Sequence, residues 1–132
     1  MSITTASLLP DPPKRKQLES LLQRAVHQFL SVALPAEAIH FSIPNGLMRS
    51  KQAGARAKGE ALRAGIPDLC VIYRSKAFFI ELKAPHGRMS PAQREMARKL
   101  IYCGAAVCMC RSVEEVEASL LEAAIPLRAR LS

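Results

Sequence analysis

Three charged side chains interrupt an otherwise apolar pair of segments in the stretch 65–83, GIPDLCVIYRSKAFFIELK: Asp68, Glu81 and Lys83. The runs 68–73 and 77–82 are β-branched and aromatic enough to be strands, and the polar tip between them is short enough for a hairpin. Strand side chains alternate faces, so Glu81 and Lys83 share one. An even-length tip that pairs Arg74 with Ala77 sets Cys70 opposite Glu81 and Asp68 opposite Lys83, which brings all three charges to one face at one end of the hairpin. An odd-length tip would send Asp68 to the other face, so an even connection or a compensating bulge is expected. Carboxylates gathered in this way supply hard oxygen donors of the kind that hold Mg²⁺ or Mn²⁺. The neighbouring lysine suits a phosphate or an attacking water. The plainer alternative is an ion pair of Lys83 with Asp68 or Glu81.

The flanking sequence must position these groups. Gly65 frees the backbone just before Asp68 and Pro67 stiffens the approach. Upstream, Leu18, Leu21, Leu22, Ala25, Val26, Phe29 and Leu30 recur at helical spacing, which predicts a helix from about Lys16 to Leu34, closed by Pro35. Glu19 lies at the edge of that apolar stripe, placed either to reach past the core toward a metal or simply to solvate the helix border. A short strand is expected over 38–43, with His40 at the edge of the core, and Pro44-Asn45-Gly46 forms a turn. The segment 47–63 carries Arg49, Lys51, Arg56, Lys58 and Arg63 against Glu60 alone. Gly54 and Gly59 weaken it as a helix, so a mobile loop or broken helix is expected, and its basic side chains suit a phosphate chain or a solvated surface. After Lys83, the loop 84–88 brings Arg88 and His86 to the end of the hairpin that holds the charges. Ser90, Pro91 and Gln93 spell a helix start with a capping box, and Gly104 stops that helix. A continuous apolar run at 105–110 predicts a strand covered on both faces. Ser112 and Glu115 begin the last helix with a second capping box, and Pro126 ends it.

The chain has 132 residues, 49% apolar and 23% charged, which fits one globular domain. The expected division is a tail over 1–15, a single domain over 16–125 and a basic tail over 126–132. Lysines and arginines exceed the acids by 19 to 11, a net charge of +8, which favours a polyanionic partner, nucleic acid before anionic membrane. Apolar runs are too short to span a membrane, and the first residues lack a signal-peptide pattern. The expected place is the cytoplasm, in a prokaryotic or viral setting. Cys70, Cys103, Cys108 and Cys110 form no zinc-binding spacing and read as free core thiols.

Pro67-Asp68 followed by Glu81-Leu82-Lys83 resembles the signature of the PD-(D/E)xK nucleases. The longer run GIPDL…FFIELKAPHGRMSPAQ, with IPNG upstream, is similar to the VRR-NUC branch of that superfamily, and the resemblance spans roughly residues 19–120. It implies an α/β fold, a mixed central sheet flanked by helices as in restriction endonucleases, which agrees with the order of expected elements. It also implies hydrolysis of a phosphodiester. Glu19, Asp68 and Glu81 would ligate Mg²⁺ or Mn²⁺ with the Leu82 carbonyl. Lys83 would orient or deprotonate the attacking water, and Gln93 would face the catalytic end besides capping its helix. Asn45 and Gly46 match the family's PNG segment near the site, and with Arg49, Lys51, Arg56, Lys58 and Arg88 they are candidates for contact with nucleic acid. The implied substrate is branched DNA such as a four-way junction, whose paired cuts favour a homodimer. The competing functions are a noncatalytic or partner-dependent nucleic-acid-binding module and an enzyme of small phosphate compounds; the +8 charge disfavours the latter.

Overall fold

The computed structural model describes residues 10–44, 59 and 63–132. Asn45, Gly46, Arg49, Lys51, Arg56 and Lys58 lie outside the described residues.

The first helix, α1, runs Arg15–Ala33. Pro12 and Pro13 precede it, and Gln17 Oε1 accepts the Lys14 backbone N–H at 2.9 Å, satisfying one donor at the helix start. It ends because Leu34 stands before Pro35 and is forced to extended backbone, φ −72° and ψ 147°. Strands β1 (Ile39–Ser42), β2 (Leu69–Tyr73) and β3 (Lys76–Leu82) follow, then α2 (Pro91–Tyr102), β4 (Ala106–Cys110) and α3 (Val113–Glu122). The sheet order is β1-β2-β3-β4, with antiparallel pairs β1·β2 and β2·β3 and a parallel pair β3·β4. The crossover between β3 and β4 carries α2, as a parallel pair requires. The result is a mixed sheet between helices, the expected fold class.

The hairpin tip is even, but it lies one residue earlier than the expected pairing placed it. Tyr73 pairs with Lys76, so the turn is Arg74-Ser75. Both residues have positive φ, 41° and 65°, as in a type I′ turn, whose twist matches that of the strands it joins. Cys70 therefore faces Phe79 rather than Glu81, and Leu69 faces Ile80. One step further, Asp68 comes level with Glu81, not Lys83. Apolar alternation sets the parity of a register, and both even registers satisfy it. The turn makes the choice between them.

One face of the sheet holds the main core. Leu69, Val71, Phe78, Ile80, Leu82 and Cys110 pack against Val26, Leu30 and Leu34 from the α1 side and Val116, Leu120 and Ile125 from the α3 side. Burying each large aliphatic side chain contributes about 2 kcal/mol. The opposite face carries α2, through Met96, and the charged groups. The last strand, β4, lies at an edge of the sheet, and it departs from the expected cover on both faces in that Met109 on it is 37% exposed. A continuous apolar run signals burial but does not distinguish a central strand from an edge strand roofed by helices.

All four cysteines are free, and Cys103 is exposed at the end of α2 instead of in the core. At the start of α3, Ser112 Oγ accepts the Glu115 N–H at 3.1 Å, while Glu115 Oε2 takes the N–H of Arg111 rather than that of Ser112. The stretch 126–132 folds back: Arg128 donates its backbone N–H to Ala33 O and its guanidinium to the carbonyls of Val32 and Ser31. These three hydrogen bonds satisfy carbonyls at the C-terminal end of α1.

Candidate active site

The charged groups meet where β2 begins and β3 ends. Asp68 immediately precedes β2, and its Oδ2 accepts the Leu82 backbone N–H at 2.7 Å, which locks the carboxylate across the hairpin. Glu81 is 2% exposed and is the one charged side chain buried among the described residues. Its Oε1 accepts a hydrogen bond from Gln93 Nε2 at 2.9 Å and pairs with Lys83 Nζ at 3.3 Å. Its Oε2 is buried with no hydrogen-bond partner. The ion pair considered from sequence therefore forms, between Lys83 and Glu81, yet it leaves one buried carboxylate oxygen unsatisfied. Such a group costs about 1–3 kcal/mol or more.

The electrostatics follow from this crowding. Burial and the neighbouring Asp68 charge push the Glu81 carboxyl up to about 7, against the opposing pull of Lys83. Asp68 also rises, chiefly through burial, with the Leu82 N–H and Lys83 acting the other way and Glu19 adding to the rise. With both carboxylates ionised neither can donate, so they repel; a single shared proton lets one donate to the other. A divalent cation relieves the same strain by a different route. The donors present fit one: two carboxylates, one with a free oxygen, and the Leu82 carbonyl are hard oxygen ligands, and Mg²⁺ readily completes its shell with water. Among the described residues no three His, Cys, Asp or Glu side chains stand close enough to cage an ion alone.

Glu19 lies on α1 and lines a cavity of about 200 Å³ together with Lys16, Ser20, Gln23, Asp68 and Leu82. Its carboxylate is 3.9 Å from Arg15 Nε. Ser20 and Gln23 carry no signal of their own in the sequence, although Gln23, four residues after Glu19, shares its face of the helix, as Lys16 does three residues before it. Arg88 is exposed in the loop between β3 and α2. His86 in that loop has φ 67°. The structure thus brings Asp68, Glu81, Lys83, Leu82 and Gln93 together, sets Glu19 across a shared cavity, and leaves Arg88 on the surface beyond Lys83.

Gln93 performs two tasks at once. Its Oε1 accepts the Ser90 N–H at 2.8 Å, its own N–H binds Ser90 Oγ at 3.1 Å, and the remaining amide nitrogen reaches Glu81. The capping box fixes the rotamer that aims that nitrogen. Gly65 sets the distance between α2 and the site. Its φ is +81°, and a Cβ there would stand 2.3 Å from Ala92 O and 2.9 Å from Gln93 N. Gly65→Ala is expected to cost about 2 kcal/mol of stability, measured by denaturant unfolding. An unchanged midpoint would mean that the helix yields freely.

The family model described as the VRR-NUC domain matches residues 12–114. A solved structure described as a VRR_NUC domain protein has a TM-score of 0.62 with 18% sequence identity, over 78% of this chain and 84% of that one. No curated protein matches the chain. No helix among the described residues is long and apolar enough to cross a membrane.

Proposed function

The chain belongs to the VRR-NUC family of nuclease-type domains, and from that membership and the site we propose that it is a metal-dependent endonuclease that hydrolyses phosphodiester bonds in DNA, with branched DNA as its substrate. The observation that carries this reading is the unpartnered Glu81 Oε2 beside Asp68, a buried carboxylate and a half-buried one whose repulsion a cation would remove. A bound Mg²⁺ or Mn²⁺ supplies a water of lowered pKa and charge neutralisation at the phosphate. Asp68, Glu81 and the Leu82 carbonyl would hold it, with Glu19 across the cavity. Gln93 keeps Glu81 in a fixed rotamer, so the free oxygen is preoriented. Lys83, tethered to Glu81 Oε1 at 3.3 Å, stabilises the pentavalent phosphate and orients the attacking water. The net charge of +8 supports DNA as the partner. A symmetric four-way junction requires paired cuts, for which a homodimer supplies two sites.

The test is cleavage of labelled four-way junction, flap, linear duplex and single-stranded DNA with Mg²⁺, Mn²⁺ or EDTA, beside Lys83→Ala. Cutting of the junction that needs metal and is lost in the variant is expected. Tight, salt-sensitive binding with no cutting would replace the catalytic reading with that of a binding or partner-dependent module.

A further inference from the structure

The carboxylate site does not end at Asp68. The cavity that holds Glu19 and Asp68 adjoins a second, of about 440 Å³, and the two share Ser20 and Gln23 as common walls. The second cavity continues along α1 past Arg24 to His27 and across to His40, Phe41 and Ser42 of β1. Eight residues of helix separate Glu19 from His27, about 12 Å. That is a nucleotide or two along a strand whose scissile phosphate lies at Asp68.

The lining has the chemistry of a nucleotide seat. His27 and His40 form a tilted aromatic pair with ring centroids 5.1 Å apart and planes at 51°. Burial and the proximity of His27 lower the His40 pKa, so that ring is uncharged at neutral pH and offers a flat face. Arg24 supplies a cation for the backbone, and Ser20, Gln23 and Ser42 supply donors and acceptors for a base edge. A paired, stacked base cannot enter a concavity of this kind; an unpaired one can, and stacking on a ring holds it without regard to sequence. On the nuclease reading given above, we propose that this groove along α1 seats an unpaired nucleotide of the substrate strand next to the scissile phosphate. The enzyme then selects DNA with unpaired bases at the branch over continuous duplex.

Binding in EDTA, where no metal-dependent cutting occurs, tests the groove by itself. Fluorescence anisotropy would compare a flap carrying an unpaired arm with a fully paired duplex of equal length at one salt concentration. The wild type is expected to prefer the flap by about tenfold, the worth of one stacked base. His27→Ala should lose that preference and His27→Phe, which keeps a stacking face, should retain it. Gln23→Ala, on the same side of α1, should weaken it as well and stands in if His27→Ala unfolds. A wild type with no preference, or a His27→Ala protein indistinguishable from it, overturns the proposal. Cleavage with Mg²⁺ is read in parallel on the same DNAs. Preferential flap binding without cutting would overturn the catalytic reading and leave the groove standing; cutting without the preference would do the reverse.

Discussion

Asp68→Asn is expected to abolish metal-dependent cleavage, by at least about a thousandfold, while making the metal-free protein more stable at pH 8. The substitution keeps an oxygen to accept the Leu82 N–H, which the native carboxylate holds at 2.7 Å. It removes one of the two charges that repel across the hairpin, and it places an amide donor next to Glu81, whose Oε2 has no partner. Relief of that repulsion plus one new charge-assisted hydrogen bond should raise stability by about 1–2 kcal/mol. The response to Mg²⁺ should vanish with the activity, because a neutral amide is a poor ligand beside a lone carboxylate. The measurements are cleavage rate and melting temperature with and without Mg²⁺. A variant that still cuts would show that the carboxylates are structural. One that is inactive and also less stable would show that repulsion is not what Asp68 contributes.

The second large effect is a pH dependence that reverses when metal is added. Glu81 is raised from an ordinary value of 4.5 to about 7, and Asp68 moves in the same direction. A raised carboxyl binds its proton more tightly in the folded state than in the unfolded chain. Its contribution is therefore full below pH 4.5 and is lost as the pH climbs to about 7. The loss is on the order of 3 kcal/mol for Glu81, roughly a 10 °C fall in melting temperature. Other titrating groups cancel when Glu81→Gln is measured alongside, since that variant should lack this part of the slope. Metal ligation requires the deprotonated carboxylates, so the stabilisation by Mg²⁺ should grow over the same window in which the free protein weakens. Parallel slopes for wild type and Glu81→Gln would show that the carboxyl titrates normally. A Mg²⁺ effect independent of pH would place the ion elsewhere.

These two predictions share a cause. The site stores unfavourable electrostatics in the free protein, and this is a common property of sites built to receive a charged ligand. Glu81 is held there by covalent continuity with β3, where its neighbours Ile80 and Leu82 are both part of the buried core.

Much of this was legible in the sequence because it is local. Alternation in the runs 68–73 and 77–82 set Asp68, Glu81 and Lys83 on one face, since side chains on a strand have a period of two. Ser90, Pro91 and Gln93 announced the start of α2 through capping chemistry confined to a few residues. Tertiary structure decided the rest. The choice of Arg74-Ser75 as the turn brought Asp68 level with Glu81, because two registers of equal parity bury the same side chains and differ only in turn geometry. The edge position of β4, the choice of Glu81 Oε1 as the atom that Gln93 reaches and the continuity of the groove from Asp68 to His40 depend on how α1 and α2 dock on the sheet. So does the buried, partnerless oxygen of Glu81. Periodicity tells which side of an element faces inward; it does not tell which atoms of another element are waiting there.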